Sequence, residues 1–316
     1  MNILVTGITG FSGSHLAEYL LKNTKNNIFG TVRGRCRQTT FIDNIKDSLT
    51  LLECDLNDYN SIQTTIEESQ PDWIFHLAAQ TFVPTSWRAP QETMNTNVMG
   101  TLNLLESVRK STFNPRILLA GSSEEYGYVE KRELPITEDN PLRPLSPYGV
   151  SKVAQDLLGY QYFNSYNMKI IRTRCFNLMG PRSGEKIVTA SLAKQIVLME
   201  KNSTNTLITG DLEPIRDFND IRDIVRAYTI GIGMCIPGEV YNICSETGFS
   251  IKEIVNIYRK LTNIKFDIIK NENIKRPSDV PVLIGNSRKF RKLTGWKPEY
   301  DIQTSLQDIL DYWRKQ

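Results

Sequence analysis

Three glycines near the N-terminus constrain the fold of this chain more than any other feature. Gly7, Gly10 and Gly13 directly follow an apolar run at residues 3–6 and directly precede a segment with helical periodicity. A strand, glycine turn and helix in this order allow a tight turn and a close approach of the backbone to a pyrophosphate. The helix N-terminus then offers unpaired N–H groups to the phosphates. The turn residues predicted to bind a dinucleotide are Gly7, Gly10, Phe11, Ser12 and Gly13.

The first half of the chain alternates short β-branched runs with amphipathic stretches. Strands are predicted at residues 3–6, 27–33, 49–54, 73–77, 116–120 and 169–174, and helices at 14–22, 61–68, 93–110 and 147–166. Strands separated by helices form a parallel sheet with helices on both faces. The pattern therefore predicts an α/β fold with a Rossmann-type doubly wound parallel sheet.

After about residue 180 the segments become more polar and are interrupted by prolines. This change predicts a smaller C-terminal α/β lobe that binds the substrate. The dinucleotide-binding domain is predicted to span 1–179, with 211–244 returning to it, and the smaller lobe to comprise 180–210 and 245–316.

The end of the second strand indicates which dinucleotide binds. NAD-binding folds carry an acidic residue there, about 20 positions beyond the glycines, to bind the ribose. This chain has Arg33 instead, followed by Arg35 and Arg37. Because a guanidinium suits the 2′-phosphate of NADP, the sequence favours NADP(H) over NAD(H). A solvent-exposed basic loop is the alternative interpretation.

Further cofactor contacts are expected where the third and fourth strands end. Ligands of open α/β sheets bind at the carboxyl edge of the strands. The predicted contacts at these two strand ends are Asp55, Leu56, Leu77, Ala78 and Ala79.

The stretch at residues 146–152 carries the most chemical information. Ser146 is a favourable N-cap and Pro147 a favourable first helical residue, which places Tyr148 and Lys152 on one helical face. A tyrosine has an ordinary pKa of about 10, too high for a base at neutral pH. We expect the lysine ammonium and the helix N-terminus to lower that pKa, so that the phenol can exchange a proton with a substrate oxygen.

These motifs together resemble a known family. The glycine turn, HLAA at 76–79, SSEEYG at 122–127 and the Tyr148–Lys152 pair are similar to the extended short-chain dehydrogenases/reductases that act on sugar nucleotides. The resemblance covers nearly the whole chain. It implies that Tyr148 and Lys152 also contact the cofactor. The catalytic residues it implies are Ser122, Ser123, Glu124, Tyr148 and Lys152.

The second half resembles the GDP-sugar branch of that family. The matching stretches are 177–181, 188–195, 216–218, 276–280 and 295–298. In that branch two arginines bind the diphosphate or ribose, and forked guanidinium donors suit this task. The substrate-binding residues implied are Asn177, Val188, Lys194, Arg216, Arg276 and Asp279.

The resemblance leaves the reaction open. One activity of the branch reduces the C4 ketone of GDP-4-keto-6-deoxymannose to GDP-rhamnose, and the doubled acid Glu124-Glu125 and the stretch 276–285 resemble it. The other is the GDP-mannose 4,6-dehydratase activity, in which Glu124 is the C5 base. An epimerase or reductase of another nucleotide sugar, and a cofactor-binding regulator without catalysis, are the remaining alternatives. The resemblance favours the 4-ketoreductase.

Composition excludes several other classes of function. A net charge of +3 in 316 residues gives no reason to expect nucleic acid or membrane surfaces as partners. Five dispersed cysteines and two histidines predict no metal site and fit a reducing compartment. No apolar stretch of about 20 residues predicts a membrane span. We expect a cytoplasmic enzyme, and the family resemblance implies a homodimer.

Overall fold

The computed structural model describes residues 1–34, 39–202, 205–271 and 280–316. The strands are β1 (Asn2–Thr6), β2 (Asn27–Val32), β3 (Thr50–Glu53), β4 (Trp73–His76), β5 (Arg116–Ser122), β6 (Lys169–Cys175), β7 (Asn177–Met179), β8 (Thr206–Thr209), β9 (Ile215–Asp220), β10 (Val240–Ile243), β11 (Gly248–Ser250), β12 (Asp267–Lys270) and β13 (Val282–Leu283). The α-helices are α1 (Phe11–Asn23), α2 (Tyr59–Ser69), α3 (Val83–Arg88), α4 (Pro90–Met94), α5 (Gly100–Lys110), α6 (Pro147–Tyr166), α7 (Val188–Asn202), α8 (Ile221–Met234), α9 (Ile251–Leu261), α10 (Arg288–Thr294) and α11 (Ile302–Arg314).

Seven parallel strands form the large sheet in the order β10-β6-β5-β4-β1-β2-β3. The order reverses at β1, because β2 and β3 lie on one side of it and β4, β5 and β6 on the other. Helices cover both faces: α1 and α8 pack on one core, and α2, α5 and α6 on another. The predicted doubly wound, Rossmann-type sheet is confirmed.

The second lobe contains two smaller sheets. A four-stranded sheet has the order β11-β9-β13 with β7 also paired to β9, and β8 pairs with β12 in a separate ribbon. Helices α7, α9 and α11 enclose the apolar core of this lobe. The region after residue 180 therefore forms a smaller lobe of helices and strands, as predicted.

Sheet membership divides the chain differently from the predicted domain boundaries at two places. Within 211–244, β9 pairs in the four-stranded sheet, whereas β10 joins the large one. Near the C-terminus, α10 supplies Phe290 to the core beside β10, and Trp296 follows it there. Strand pairing and long-range packing decide both placements, and neither leaves a local pattern in the sequence.

The helix expected at 93–110 is divided into three pieces. Pro90 begins the short α4, a π-helical segment spans Asn95–Met99, and α5 follows. The buried Asn97 amide donates hydrogen bonds to Gln80 O and Ser151 Oγ, both at 2.9 Å. A buried side chain that hydrogen-bonds to other segments of the chain often accompanies a π-helical segment of this kind.

Among the residues that the structure describes, none of the helices combines the length and apolarity needed to span a membrane.

Candidate active site

A cleft of about 1570 Å³ opens between the carboxyl edge of the large sheet and the second lobe. Its walls include the glycine turn, the ends of β3, β4 and β5, the start of α6 and parts of α7, β8 and β9. Open α/β sheets bind ligands at this edge, next to the point where the strand order reverses.

The glycine turn lies at one end of the cleft and is tightly packed. Gly7 has φ +71°, and a Cβ there would lie 2.9 Å from the Cα of Ala78. A Cβ at Gly13 would lie 2.2 Å from the carbonyl oxygen of Gly7. Both positions therefore require glycine, since a side chain would displace backbone atoms.

The helix after the turn is open to an anion. The N-cap of α1 is Gly10, and no side chain in the described part of the chain caps this helix end by a hydrogen bond. Nearby, Thr6 Oγ1 accepts the backbone N–H groups of Leu77 and Ala78, each at 3.2 Å, which holds the ends of β1 and β4 together. A pyrophosphate fits this cradle, because unpaired N–H groups and the helix dipole favour negative charge.

All predicted cofactor contacts line this cleft. Arg33 is exposed at its rim, directly after β2, and has no hydrogen-bond partner among the described residues. Arg35 and Arg37, the other members of the predicted basic cluster, lie outside the described residues.

The predicted catalytic residues come together from two elements. Ser122 ends β5, and Ser123 and Glu124 follow in a 3₁₀ turn. Tyr148 lies in the first turn of α6, where Ser146 Oγ accepts the N–H of Gly149 at 3.0 Å as the predicted N-cap. The Ser122 hydroxyl lies close enough to the Tyr148 phenol to act on its pKa, which it lowers. All five predicted catalytic residues line the cleft.

Lys152 lies one turn after Tyr148 and is almost entirely buried. Its ammonium donates to Ala120 O at 2.8 Å and to Gln155 Oε1 at 2.9 Å. Burial lowers the pKa of Lys152 to about 8. The ammonium is therefore held by the end of β5 as well as by its own helix.

The expectation that Lys152 lowers the pKa of Tyr148 is wrong for the protein without ligands. Burial raises the pKa of Tyr148, and the Ser122 hydroxyl offsets only part of this effect. Removing a phenolate from water costs more than the neighbouring groups recover. The phenol therefore keeps its proton throughout the neutral range, which suits a proton donor.

The second lobe supplies three of the predicted substrate contacts. Asn177 of β7, Val188 at the start of α7 and Arg216 of β9 line the cleft. Arg216 is buried, and its Nη1 donates to Ile215 O at 2.9 Å, so its guanidinium is held in place. Arg276 and Asp279, the other predicted contacts apart from Lys194, lie outside the described residues.

The structure does not place Lys194 on the cleft wall. Its ammonium pairs with the carboxylate of Glu185 and lies 5.4 Å from the centre of the Trp313 ring. On α7 the residues that line the cleft are Val188, Ser191, Leu192 and Gln195. On the helical circle Lys194 lies outside the arc that these four residues occupy, and its assignment as a substrate contact stays a prediction.

The sequence analysis missed several cleft residues. Phe82, Trp87 and Arg88 come from the short helix α3 and the residue before it, and Lys186 of the second lobe lies 5.1 Å from the centre of the Phe82 ring. On the floor of the cleft, Cys175 donates its thiol to Tyr228 Oη at 3.1 Å. An exposed tryptophan beside an arginine in a short proline-containing segment is the one local signal that could have indicated the first group.

Comparison with known proteins gives consistent results. A family model described as GDP-mannose 4,6 dehydratase matches residues 4–309. GDP-6-deoxy-D-mannose reductase of Pseudomonas aeruginosa is 32% identical over 313 residues, which cover 98% of this chain and 96% of that relative. GDP-mannose 4,6 dehydratase 2 of Arabidopsis thaliana is 30% identical and covers 98% of this chain and 85% of its own length.

Two solved structures are similar to this chain over its whole length. RMD from Pseudomonas aeruginosa, complexed with NADPH, superimposes with a TM-score of 0.87 at 31% identity, covering 100% of this chain and 99% of that one. UDP-glucose 4-epimerase from Thermotoga maritima, with UDP-glucose, gives a TM-score of 0.90 at 27% identity over the same fractions.

Proposed function

Because this chain belongs to the GDP-mannose 4,6-dehydratase family, we propose that it is an NADP(H)-dependent reductase of a GDP-4-keto-6-deoxyhexose. The reaction converts the C4 ketone to an alcohol, as in the formation of GDP-rhamnose from GDP-4-keto-6-deoxymannose. Tyr148 is the proton donor.

One observation carries this proposal: the side chains of Ser122 and Tyr148 lie in the same cleft as the glycine turn and Arg216. The cleft thus offers an anion cradle at one end, a guanidinium at the other and a proton donor between them. A nucleoside diphosphate sugar with a polarisable oxygen fits such a site.

The chain's own residues have separate tasks. NADP(H), when bound, supplies the hydride. Ser122 and Tyr148 hold the substrate oxygen between their hydroxyls, and Tyr148 gives it a proton. The Lys152 ammonium stabilises the phenolate that forms as this proton leaves. Asn177, Val188 and Arg216 position the nucleotide end of the substrate.

The protonated form of Tyr148 fits the first step of the proposed reduction. Reduction needs a phenol that begins protonated, and burial keeps Tyr148 in that form by raising its pKa. A dehydratase first oxidises C4 and therefore needs this group as a base. The GDP-mannose 4,6-dehydratase reaction is nevertheless the second candidate, because Glu124 lines the cleft where a C5 base would be required.

Incubation with two substrates separates the candidates. Purified protein should consume NADPH with GDP-4-keto-6-deoxymannose and leave GDP-mannose unchanged. A 4-keto product released from GDP-mannose without net consumption of cofactor would establish the dehydratase instead. Turnover of UDP- or CDP-linked hexoses only would establish an epimerase or reductase of another nucleotide sugar, and cofactor binding without turnover of any of them would indicate a regulator.

Arg33 supports NADP(H) as the cofactor, since it lies at the rim of the cleft directly after β2. Arg33→Ala should weaken NADPH binding at least about tenfold and leave NADH binding nearly unchanged, because only the former carries the 2′-phosphate. Titration of each dinucleotide measures this. Tighter binding of NADH by the wild-type protein would contradict the assignment.

A homodimer is part of the proposal. The outer face of α6 exposes Val150, Leu157, Tyr160 and Tyr166, and Met99 is exposed before the start of α5. Contiguous exposed apolar side chains on paired helices suit a helix-to-helix contact between two copies. Sedimentation should show a dimer that Leu157→Glu dissociates; a monomeric wild-type protein would contradict it.

We place this enzyme in the cytoplasm. The four cysteines among the described residues, Cys54, Cys175, Cys235 and Cys244, are buried free thiols, which suits a reducing compartment. Recovery of the protein in an oxidising compartment on cell fractionation would contradict this.

A further inference from the structure

Glu125, the second acid of the Glu124-Glu125 pair, is fully buried and does not line the cleft. Its Oε1 accepts the backbone N–H of Ser122 at 2.7 Å, which closes a capping box with the Ser122 hydroxyl. Glu125 therefore fixes the backbone of Ser122, whose hydroxyl is one of the two groups proposed to bind the reacting oxygen.

The other oxygen of Glu125 lies beside a second carboxyl group, that of Asp156. Arg174 Nε donates to Glu125 Oε2 at 3.0 Å and to Asp156 Oδ2 at 2.8 Å, so one N–H binds both acids. Oε2 of Glu125 and Oδ2 of Asp156 are therefore neighbours around a single N–H group. Two buried carboxyl groups brought together in this way are stabilised when one of them keeps its proton and donates it to the other.

Asp156 belongs to the same face of α6 as Tyr148 and Lys152, because the three residues are spaced by four. The contact between Glu125 and Asp156 therefore joins the end of β5, which carries Ser122, to the helix that carries the proton donor. The relative position of the two hydroxyl groups depends on this connection between a strand and a helix.

The surroundings decide which acid holds the proton. Burial, and then the charge of Asp156, raises the pKa of Glu125 well above its ordinary value. Burial also opposes ionisation of Asp156, but the charges of Arg174 and Arg172 hold its pKa below the ordinary value. The charged or titratable groups around the pair are Tyr126, Tyr148, Lys152, Arg172, Arg174 and Cys175.

We infer that Glu125 is a positioning residue that works as a neutral carboxylic acid, accepting the N–H of Ser122 and donating its own proton to the carboxylate of Asp156. It touches neither substrate nor cofactor. Its role rests on the proposed function, since it sets the geometry of the Ser122–Tyr148 pair that performs the reduction.

Two substitutions separate this role from a general contribution to stability. In Glu125→Gln the amide can still accept the N–H of Ser122 and donate to Asp156, so kcat should stay within about threefold of wild type. In Glu125→Leu both contacts are lost, and kcat should fall at least about thirtyfold with KM for the nucleotide sugar within about twofold. Glu133→Gln, which breaks an ion pair with Arg143 away from the cleft, should leave both constants unchanged.

The proton itself is observable in the folded protein without substrate. The infrared spectrum at neutral pH should contain the carbonyl stretch of a protonated, buried carboxyl group, and Glu125→Gln should lack it. Absence of that band in the wild type, or a loss of kcat in Glu125→Gln as large as that in Glu125→Leu, would overturn the inference.

The outcomes distinguish this inference from the proposed function. A wild-type protein that does not turn over GDP-4-keto-6-deoxymannose contradicts the proposed function, and the infrared band alone then decides the state of Glu125. Active wild-type protein with the wrong pattern among the variants contradicts only the inference. If Glu125→Leu does not fold, Glu125→Gln and the infrared spectrum carry the test.

Discussion

At the scale of single residues, burial decides the chemistry of the site. Tyr148 and Lys152 are both buried, and burial opposes the charged form of each, so it raises the pKa of the phenol and lowers that of the ammonium. Before reaction the pair is consequently a neutral donor beside a cation that the protein holds by two hydrogen bonds. Such a pair can give a proton to a ketone oxygen.

Replacing Tyr148 tests the proton donor. Tyr148→Phe should lower kcat by about 10²- to 10⁴-fold, because a positioned general acid contributes that much, while nucleotide-sugar binding persists. Steady-state kinetics and a binding titration measure the two effects. Tyr160→Phe, which removes a hydroxyl from an exposed position on the same helix, is the matched control. Full activity of Tyr148→Phe would show that another group donates the proton.

The ammonium of Lys152 should produce a pH dependence. Its pKa is lowered to about 8, so the cation is present below that pH and is lost as the pH rises through it. Because the cation stabilises the phenolate formed in the transition state, kcat/KM for reduction should fall above about pH 8. Lys152→Arg, which stays charged, should move this decline to higher pH. A wild-type profile without any decline near that pH would contradict the assignment.

At the scale of elements, two features determine where ligands can bind. One is the close approach of α1 to the glycine turn, and the other is the position at which α6 begins. The first depends on glycines, because Gly7 and Gly13 leave no space for a side chain. The second depends on local capping: Ser146 bonds the first turn, and Pro147 begins the helix. Both devices are local in the chain, which explains why the predicted helix at 147–166 agrees with α6 at both ends.

Two glycine substitutions test the packing of the turn. In Gly13→Ala the new Cβ would lie 2.2 Å from Gly7 O and 2.7 Å from Ile8 Cα, so α1 must move away from the turn. We expect a loss of about 1–3 kcal/mol of stability and NADPH binding weakened at least about tenfold. Thermal unfolding and a binding titration measure this.

Gly233→Ala is the matched control for that substitution. Gly233 lies within α8, and its Cβ would meet the Trp73 ring at 3.7 Å, an ordinary contact. Because alanine favours a helix over glycine, this variant should gain up to about 1 kcal/mol and bind NADPH normally. Equal behaviour of the two variants would show that the turn is not tightly packed.

At the scale of the whole molecule, side-chain contacts join the second lobe to the elements around the large sheet. Arg182 follows β7, and its guanidinium forms a two-pronged ion pair with Glu18 of α1 at 2.6 and 2.7 Å. It also donates to Phe41 O at 3.0 Å, in the segment that follows the predicted basic cluster. Lys186 over the Phe82 ring is a second contact of this kind.

Glu18→Gln tests the first of these contacts through its pH dependence. Burial acts to raise the pKa of Glu18, but the hydrogen bonds and charge of Arg182 hold it below its ordinary value. A carboxyl group whose pKa is lower in the folded state stabilises the protein above its unfolded pKa, and this contribution is lost as the pH falls through the folded pKa.

The wild type should therefore be about 1 kcal/mol more stable than Glu18→Gln at neutral pH, and the difference should disappear in acid. Denaturant unfolding at several pH values measures it. A difference that does not depend on pH would mean that the carboxylate charge is not responsible.

Local chemistry by itself determined the Rossmann-type sheet, the glycine turn, the helix that bears Tyr148 and Lys152, and the strand-end residues that line the cleft beside the glycine turn. Each follows from neighbouring residues, through periodicity, turn geometry and capping. Family resemblance added Ser122, Glu124 and Arg216, which have no such local signature.

Tertiary structure decided what depends on distant neighbours. It turned Lys194 towards Glu185, placed β9 in the small sheet, raised the pKa of Tyr148 and brought Glu125 against Asp156. Burial and strand pairing depend on which segments meet after the chain has folded. The sequence alone does not show whether a carboxyl group faces water or another acid.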